Sequence, residues 1–254
     1  MLLLLSPAKT LQTAPPVALK TSTIRFKKET AELVEVLSQL SLTDLKKLMK
    51  LSDSLAALNY GRYQHFNPKS YTQKNAEPAG LAFHGAVFQG LGLDTFSDEE
   101  LAFAQDHLRI LSGLYGVLRP LDLIQAYRLE MGTKISIGAA KNLYEFWGDK
   151  ITQLINKDLK KTKSKVIINL ASKEYFKSIK PNLLEGKLLT MDFREERNGQ
   201  YKFITYNAKI ARGLLSRYIL QNSITNPEDI KGFLEDGYSF NAQISTPEHW
   251  VFTR

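Results

Sequence analysis

The chain has 254 residues, of which 43% are hydrophobic and 24% are charged, the composition of an ordinary globular protein with a substantial core. Its 34 lysines and arginines exceed its 26 aspartates and glutamates, and the net charge of +8 favours nucleic acid or another polyanion as a partner. It has no cysteine, which excludes disulfide bonds and suits the cytoplasm, where we expect it to act.

The first predicted element is a buried strand at Leu2–Leu5. This apolar run is short, follows no basic segment and stops before Pro7, so it is neither a signal peptide nor a membrane span. We therefore expect no association with a membrane.

Two amphipathic helices are predicted next, at residues 29–40 and 42–49, and a third at residues 54–66. The second and third helices, joined by a tight turn, resemble a helix-hairpin-helix element at about residues 42–66. Such an element turns the N-terminus of its second helix toward a DNA phosphate, and Lys50 and Ser52 are its candidate ligands. The turn lacks the usual glycine and Asp53 would compete for the same N–H groups, so a plain helical pair is the alternative.

A capping box at residues 97–100 predicts a central helix that runs to about Ser112 and ends at Gly113. Further helices are predicted at residues 140–159 and 208–221.

Residues 166–170 form a continuous apolar run, typical of a strand that is covered on both faces. Residues 187–195 and 200–206 flank Asn198-Gly199, a strong hairpin signal. We predict the α+β (mixed α/β) class and a single compact domain over residues 1–254, with a mixed sheet, surrounding helices and the helical pair.

Three arginines, Arg109, Arg119 and Arg128, lie in an otherwise apolar segment at residues 107–132. A guanidinium group stays charged and is costly to bury alone, so these side chains either pair internally or line a groove for an anion. Because Arg119 precedes Pro120, its backbone is biased toward an extended form. We expect Arg119 and Arg128 to face a cleft rather than to form core ion pairs.

Two predicted strands end in polar residues that suit a phosphate. Lys9 follows the first strand, and Ser172 and Lys173 follow the strand at residues 166–170. Ligands gather beyond the carboxyl ends of strands, and a helix beginning near Ser172 would direct N–H groups at an anion. We expect the three residues to share one phosphate-sized site, with ordinary capping and solvated lysines as the alternative.

Two predicted helices also carry rows of basic side chains. Like charges at helical spacing repel one another unless something neutralises them, which makes both rows candidate phosphate contacts. A merely solvated surface is the alternative. The rows consist of Lys173, Lys177 and Lys180, and of Lys209, Arg212 and Arg217.

No metal site or cofactor is predicted, because the four histidines show none of the usual metal-ligand spacings. No catalytic residue is assigned either. The best candidates are Tyr115, Tyr127, Glu130 and Glu174, but both carboxylates lie beside a basic residue and a structural ion pair is the simpler interpretation. A group of aromatic residues is placed to stack on bases or, more commonly, to fill the core: Tyr144, Phe146, Trp147 and Tyr175.

Five segments of the chain together resemble the signature of the YaaA family of bacterial peroxide-stress resistance proteins. They are LLLLSPAKT at 2–10, the arginine segment at 107–132, FWGD at 146–149, INLASKEYFKSIKP at 168–181 and AKIARGLLSRYI at 208–219. They follow the expected order along nearly the whole chain.

The resemblance implies a cytoplasmic protein that binds duplex or branched DNA through a basic cleft and a helix-hairpin-helix element, without strong sequence preference. It also implies that the protein limits oxidative DNA damage. That protection must be indirect, because a chain without cysteine cannot carry out thiolate peroxidase chemistry. The alternative function is an enzyme that acts on a small phosphorylated or nucleotide-like substrate in the same arginine- and lysine-lined cleft.

Overall fold

The computed structural model describes residues 1–15, 18, 20–162 and 165–254. Its strands are β1 (Leu2–Leu5), β2 (Thr10–Leu11), β3 (Ser22–Thr23), β4 (Glu77–Pro78), β5 (Phe83–His84), β6 (Leu108–Ser112), β7 (Gly116–Leu118), β8 (Asp122–Ile124), β9 (Val166–Asn169), β10 (Lys187–Arg197), β11 (Gln200–Lys202), β12 (Ser239–Phe240) and β13 (His249–Thr253). Its α-helices are α1 (Lys27–Ser38), α2 (Leu42–Met49), α3 (Asp53–Gln64), α4 (Ala79–Ala82), α5 (Ala86–Leu91), α6 (Asp98–His107), α7 (Leu143–Trp147), α8 (Lys150–Leu159), α9 (Lys173–Phe176) and α10 (Thr205–Gln221). Short 3-10 helices occur at Leu93–Thr95, Pro181–Leu183, Pro227–Gly232 and Glu235–Gly237.

A mixed sheet forms the centre of the molecule, in the order β12-β13-β10-β9-β1-β6-β7, with β11 paired to the end of β10. The five strands from β13 to β6 are parallel to their neighbours, whereas β7, β11 and β12 are antiparallel. Smaller sheets, β2-β5 and β3-β8-β4, flank it. One hydrophobic core runs from β1 through the helices to β13, so the predicted mixed α/β class and single compact domain are confirmed.

The elements with strong local signals form as predicted. Strand β1 is wholly buried, β9 occupies the predicted apolar run, and α10 covers the last predicted helix. Asn198 and Gly199 take positive φ values of 57° and 74° and turn β10 into β11, as the hairpin signal requires. The helical pair also forms, with α2 ending at Lys50 in the left-handed conformation and Ser52 capping α3.

Two helix predictions were wrong in part. The helix that begins at the capping box ends at His107, and the chain continues as strand β6 between β1 and β7. All five residues of β6 are buried, and a short apolar run covered on both faces has no periodicity that separates a strand from a helix. The helix predicted at residues 140–159 divides into α7 and α8 at Gly148, whose φ of 52° breaks helical geometry.

Helix α10 lies unusually close to α5. A Cβ atom at Gly213 would come within 2.0 Å of the Val87 carbonyl oxygen, and one at Gly90 within 2.4 Å of the Ile210 carbonyl oxygen. Only glycine permits this approach of the two backbones, which holds α10 in place. Within the described ranges, no helix is both long and apolar enough to cross a membrane.

Arg109 is a structural residue of the core. Its side chain is 5% exposed, and its Nε donates a hydrogen bond of 2.6 Å to Oδ2 of Asp158 on α8. Arg25 donates to the same oxygen. In place of the predicted DNA contact, Arg109 therefore follows the internal-pairing alternative and ties β6 to α8.

Asp158 balances these two cations. Burial raises the pKa of Asp158, but the attraction of Arg109 and Arg25 lowers it more, so that its pKa lies below the ordinary carboxyl value. The stability that this carboxylate contributes is complete above the ordinary pKa of an aspartate. It is lost as the pH falls through the lowered pKa of the folded state.

We predict that Asp158→Asn lowers the free energy of unfolding by about 3 to 5 kcal/mol, because it leaves two buried guanidinium groups without a counter-charge. Urea denaturation at neutral pH measures the effect. The matched control is Asp106→Asn at an exposed position of α6, where a change within about 0.5 kcal/mol is expected. Equal stability of the two variants would show that the Asp158 pairs contribute little.

Candidate nucleic-acid interface

A cavity of about 880 Å³ lies beyond the carboxyl end of β9 and beside the middle of β10. Strand β9 pairs with β10 only as far as Asn169 and Thr190, whereas β10 continues to Arg197. The chain leaves β9 in a turn in which Asn169 Oδ1 accepts a 3.0 Å hydrogen bond from the backbone N–H of Ala171. The projecting part of β10 therefore has no β9 neighbour and forms one wall of the cavity.

Alternation along β10 decides which side chains face this space. Residues 189, 191, 193 and 195 are buried, and the residues between them are only partly buried. Thr190, Asp192 and Arg194 consequently share one face of the strand, and all three line the cavity. The opposite wall includes the beginning of α10, with Lys209 and Arg212.

Positive charge predominates around the cavity. Four cations line it, Lys173, Arg194, Lys209 and Arg212, against the single carboxylate of Asp192. That carboxylate accepts a hydrogen bond of 3.0 Å from Nε of Arg194. The lining therefore has an excess of positive charge that an anionic ligand would neutralise.

Arg212 is the most unusual of these cations. Its Nε is buried and, within the part of the chain that the structure describes, has no hydrogen-bond partner. Burial lowers the pKa of the Arg212 guanidinium, and Asp192 opposes this effect. A buried cation with an unsatisfied donor is costly unless an acceptor approaches it.

Exposed aromatic rings surround the entrance. Tyr201 is 40% exposed and Phe203 is 49% exposed, and both line the cavity. The guanidinium carbon of Arg212 lies 5.9 Å from the centre of the Phe203 ring. Aromatic rings among basic side chains are the combination that binds single-stranded nucleic acid.

The predicted site residues divide between this cavity and other places. The cavity brings together four of them, from the predicted phosphate site and both basic rows: Ser172, Lys173, Lys209 and Arg212. Ser172 meets the end of β1 through Ser6, whose Oγ accepts a 2.9 Å hydrogen bond from the Ser172 N–H.

Lys9 lies at a different place from the one expected. Its Nζ is 2.8 Å from Oε2 of Glu130, whose Oε1 is 3.2 Å from Nη2 of Arg128. The cavity between these side chains is about 10 Å³, room for a single water molecule. The expectation that Arg128 avoids ion pairing was wrong, because Arg128 and Glu130 are two residues apart in an extended segment and share a face.

Arg119 lies near the amino-terminal ends of the parallel strands, away from the cavity. Strand β7 runs antiparallel to β6 and places Arg119 beside the beginning of β6. Its Nε and Nη2 donate hydrogen bonds of 3.1 and 2.8 Å to Oδ1 of the buried Asp122. Arg119 and Arg109 line a separate cavity of about 430 Å³. Arg119 and Arg128 therefore do not share one cleft, and Arg119 is paired with a buried aspartate, contrary to expectation.

The first basic row is interrupted. Helix α9 ends at Phe176, and Lys180 has φ and ψ values of −102° and 96°. Lys180 precedes Pro181, and a residue before proline is disfavoured in the helical conformation. Lys177 lies 4.9 Å from the centre of the Tyr144 ring, so of this row only Lys173 lines the cavity.

The second basic row also divides. Lys209 and Arg212 are three residues apart and face the cavity, whereas Arg217 is turned by about 140° from Arg212 around the helix. Nη1 of Arg217 donates hydrogen bonds of 3.2 Å to the Gly92 carbonyl and 2.8 Å to Thr95 Oγ1. Arg217 thus satisfies carbonyl groups at the end of α5.

The turn of the helical pair uses its polar groups internally. Ser52 Oγ accepts from the backbone N–H of Leu55 at 3.4 Å, and Asp53 pairs with Lys46. Lys50 is exposed in the turn. The shape of the pair is as predicted, and its contact with DNA stays a prediction.

Several residues of the cavity were not predicted. The period-two pattern at Thr190, Asp192 and Arg194 indicates a half-buried strand, but nothing local shows what its polar face meets. Of the four aromatic residues assigned mainly to the core, Phe146, Trp147 and Tyr175 are at most 8% exposed, whereas Tyr144 is only partly buried. The exposed rings that line the cavity are Tyr201 and Phe203, which follow the hairpin turn.

We predict that Arg212→Met leaves the free energy of unfolding unchanged or raises it by about 1 kcal/mol, because methionine removes a buried cation with an unsatisfied donor and keeps the packing volume. Thermal and urea unfolding test this. Arg109→Met is the matched control and should be destabilising by about 1.5 to 3 kcal/mol, because it removes one of the two cations that are hydrogen-bonded to the buried Asp158. A comparable loss at Arg212 would show that its role is structural.

Comparison with known proteins extends over the whole chain. The sequence profile of the family described as peroxide stress protein YaaA matches residues 1–244. A UPF0246 protein of Saccharophagus degradans is 52% identical over 255 residues, covering 100% of this chain and 99% of the relative. UPF0246 proteins of Janthinobacterium sp. and Acaryochloris marina are 48% and 49% identical, each over 100% of this chain and over 98% and 100% of their own lengths.

Proposed function

Because the chain belongs to the YaaA family of peroxide stress proteins, we propose that it acts in the peroxide stress response as a DNA-binding protein. It holds the backbone phosphates of duplex or branched DNA without strong sequence preference, and limits oxidative DNA damage indirectly. The observation that carries the proposal is the convergence of Lys173, Lys209 and Arg212 on one cavity lined by a single carboxylate.

The two lysines suit phosphate contact. Both side chains are exposed, and within the described residues neither lies within ion-pair distance of a carboxylate. When lysines neutralise phosphates of DNA, the cations condensed on the DNA are released to the solvent, and this release favours binding. Such contacts supply affinity without reading sequence.

The shape of the site also favours DNA over a closed active site at the arginine segment. Arg128 and Glu130 converge, but only about 10 Å³ of space lies between the side chains there. The open, aromatic and basic cavity lies instead against β10 and α10. An extended polyanion can reach its entrance lysines from solvent.

One observation favours a second candidate function. The cavity of about 880 Å³ falls in the range of about 300 to 1,000 Å³ typical of sites for small molecules. With the buried Nε of Arg212 beside it, the cavity suits a small phosphorylated or nucleotide-like substrate. An enzyme of that kind would bind one small anion, so its affinity would depend little on the number of phosphates that a DNA strand offers.

We predict that duplex DNA binds with a slope of log K against log salt of roughly −4, which corresponds to about four or five neutralised phosphates. Replacing Lys173 and Lys209 together by glutamine should weaken binding about tenfold or more and reduce the slope by about 2. Fluorescence polarisation at several salt concentrations measures both quantities, with a thermal melt to verify folding.

The matched control replaces Lys27 and Lys28, two exposed lysines at the beginning of α1, by glutamine. It changes the net charge equally and should leave the slope near its original value. If both double variants bind alike, the effect is one of net charge and the cavity is not the contact. Salt-independent binding, or no binding at about 50 mM salt, would overturn the proposed function itself.

A further inference from the structure

We propose that the cavity beside β10 receives one unpaired nucleotide of the bound DNA, with the base inside and its phosphate at the entrance. This inference rests on the proposed function and specifies the form of DNA that the site prefers. It is carried by three features that meet at the cavity: exposed aromatic rings, polar groups on the wall and cations at the rim.

The rings provide a surface on which a base can stack. Phe203 and Tyr201 expose 49% and 40% of their surface, although both belong to the cavity lining. The guanidinium of Arg212 lies 5.9 Å from the Phe203 ring, and its flat face adds a second platform. A base inserted here would cover apolar surface that is otherwise in contact with water.

The wall offers hydrogen-bonding groups for the edge of a base. Asn169 is 5% exposed, and its side-chain N–H reaches Thr190 Oγ1 only at 3.5 Å, the limit of a hydrogen bond. Asp192 presents a carboxylate on the same face of β10. Amide, hydroxyl and carboxylate groups together match the mixed donors and acceptors of a base edge.

The rim holds the phosphate that accompanies the base. Lys173 and Lys209 are exposed at the lining, and the buried Nε of Arg212 has no partner in the described part of the chain. A cavity of about 880 Å³ accommodates a single nucleotide, whereas a base-paired helix cannot enter it. A base that is already unpaired is favoured, because no pairing or stacking must first be broken.

The test compares two DNA duplexes of the same sequence, one fully paired and one with a single extra, bulged nucleotide. We expect the bulged duplex to bind about tenfold more tightly, the effect of stacking one base on an aromatic side chain. Phe203→Ala should bring the ratio of the two affinities down to about one, because it removes the stacking surface and keeps the lysines. Fluorescence polarisation measures the affinities.

The matched control is Leu234→Ala, which shortens another exposed apolar side chain, 72% exposed and outside the cavity lining. It should retain the preference for the bulge. Thermal melts of both variants should resemble that of the original protein, since neither side chain is buried.

The outcomes separate this inference from the function on which it rests. Equal, salt-dependent binding of both duplexes would overturn the bulge proposal and leave DNA binding intact, whereas binding of neither would overturn DNA binding. Titration with deoxyadenosine monophosphate distinguishes the source of the nucleotide. If it competes as strongly as the bulged duplex, in a manner that requires Phe203, the site takes a free nucleotide and the DNA-borne assignment is wrong.

Discussion

The unequal length of two neighbouring parallel strands shapes the candidate site. Strand β9 ends its pairing with β10 at Asn169, while β10 continues for seven more residues after Thr190, to Arg197, and then turns at Asn198-Gly199. The projecting segment pairs with β13 and β11 and leaves one polar face open beyond the end of β9. Helix α10, held close to α5 at Gly90 and Gly213, lies across the cavity from that face.

Six of the predicted phosphate ligands divide according to whether the fold itself supplies their partner. Arg109 and Arg119 have buried aspartates, and Arg217 has carbonyl groups of α5, so their charges stabilise the structure. Lys173 and Lys209 have no carboxylate within ion-pair distance in the described residues, and Arg212 has a buried donor without an acceptor. The second group is the one that converges on a cavity, and an anionic ligand would complete its interactions.

Local patterns predicted most elements of the fold but not the assembly of the site. The buried runs of β1 and β9, the capping box at Ser97 and the Asn198-Gly199 turn each act within a few residues, and each formed as predicted. Strand β6 was missed because its periodicity is ambiguous, and the break at Lys180 was missed although Pro181 signals it. The cavity depends on the register of β9 against β10 and on the packing of α10, which arise only from long-range contacts.

The most direct test is to map where DNA touches the protein. Photo-crosslinking with iodouracil-containing DNA, followed by mass spectrometry of the peptides, reads the contact without mutating the chain. We predict that crosslinks concentrate on the segment from β11 into α10, at Tyr201 and Phe203 beside the cavity. Crosslinks confined to the helical pair α2 and α3, with none beside the cavity, would contradict it.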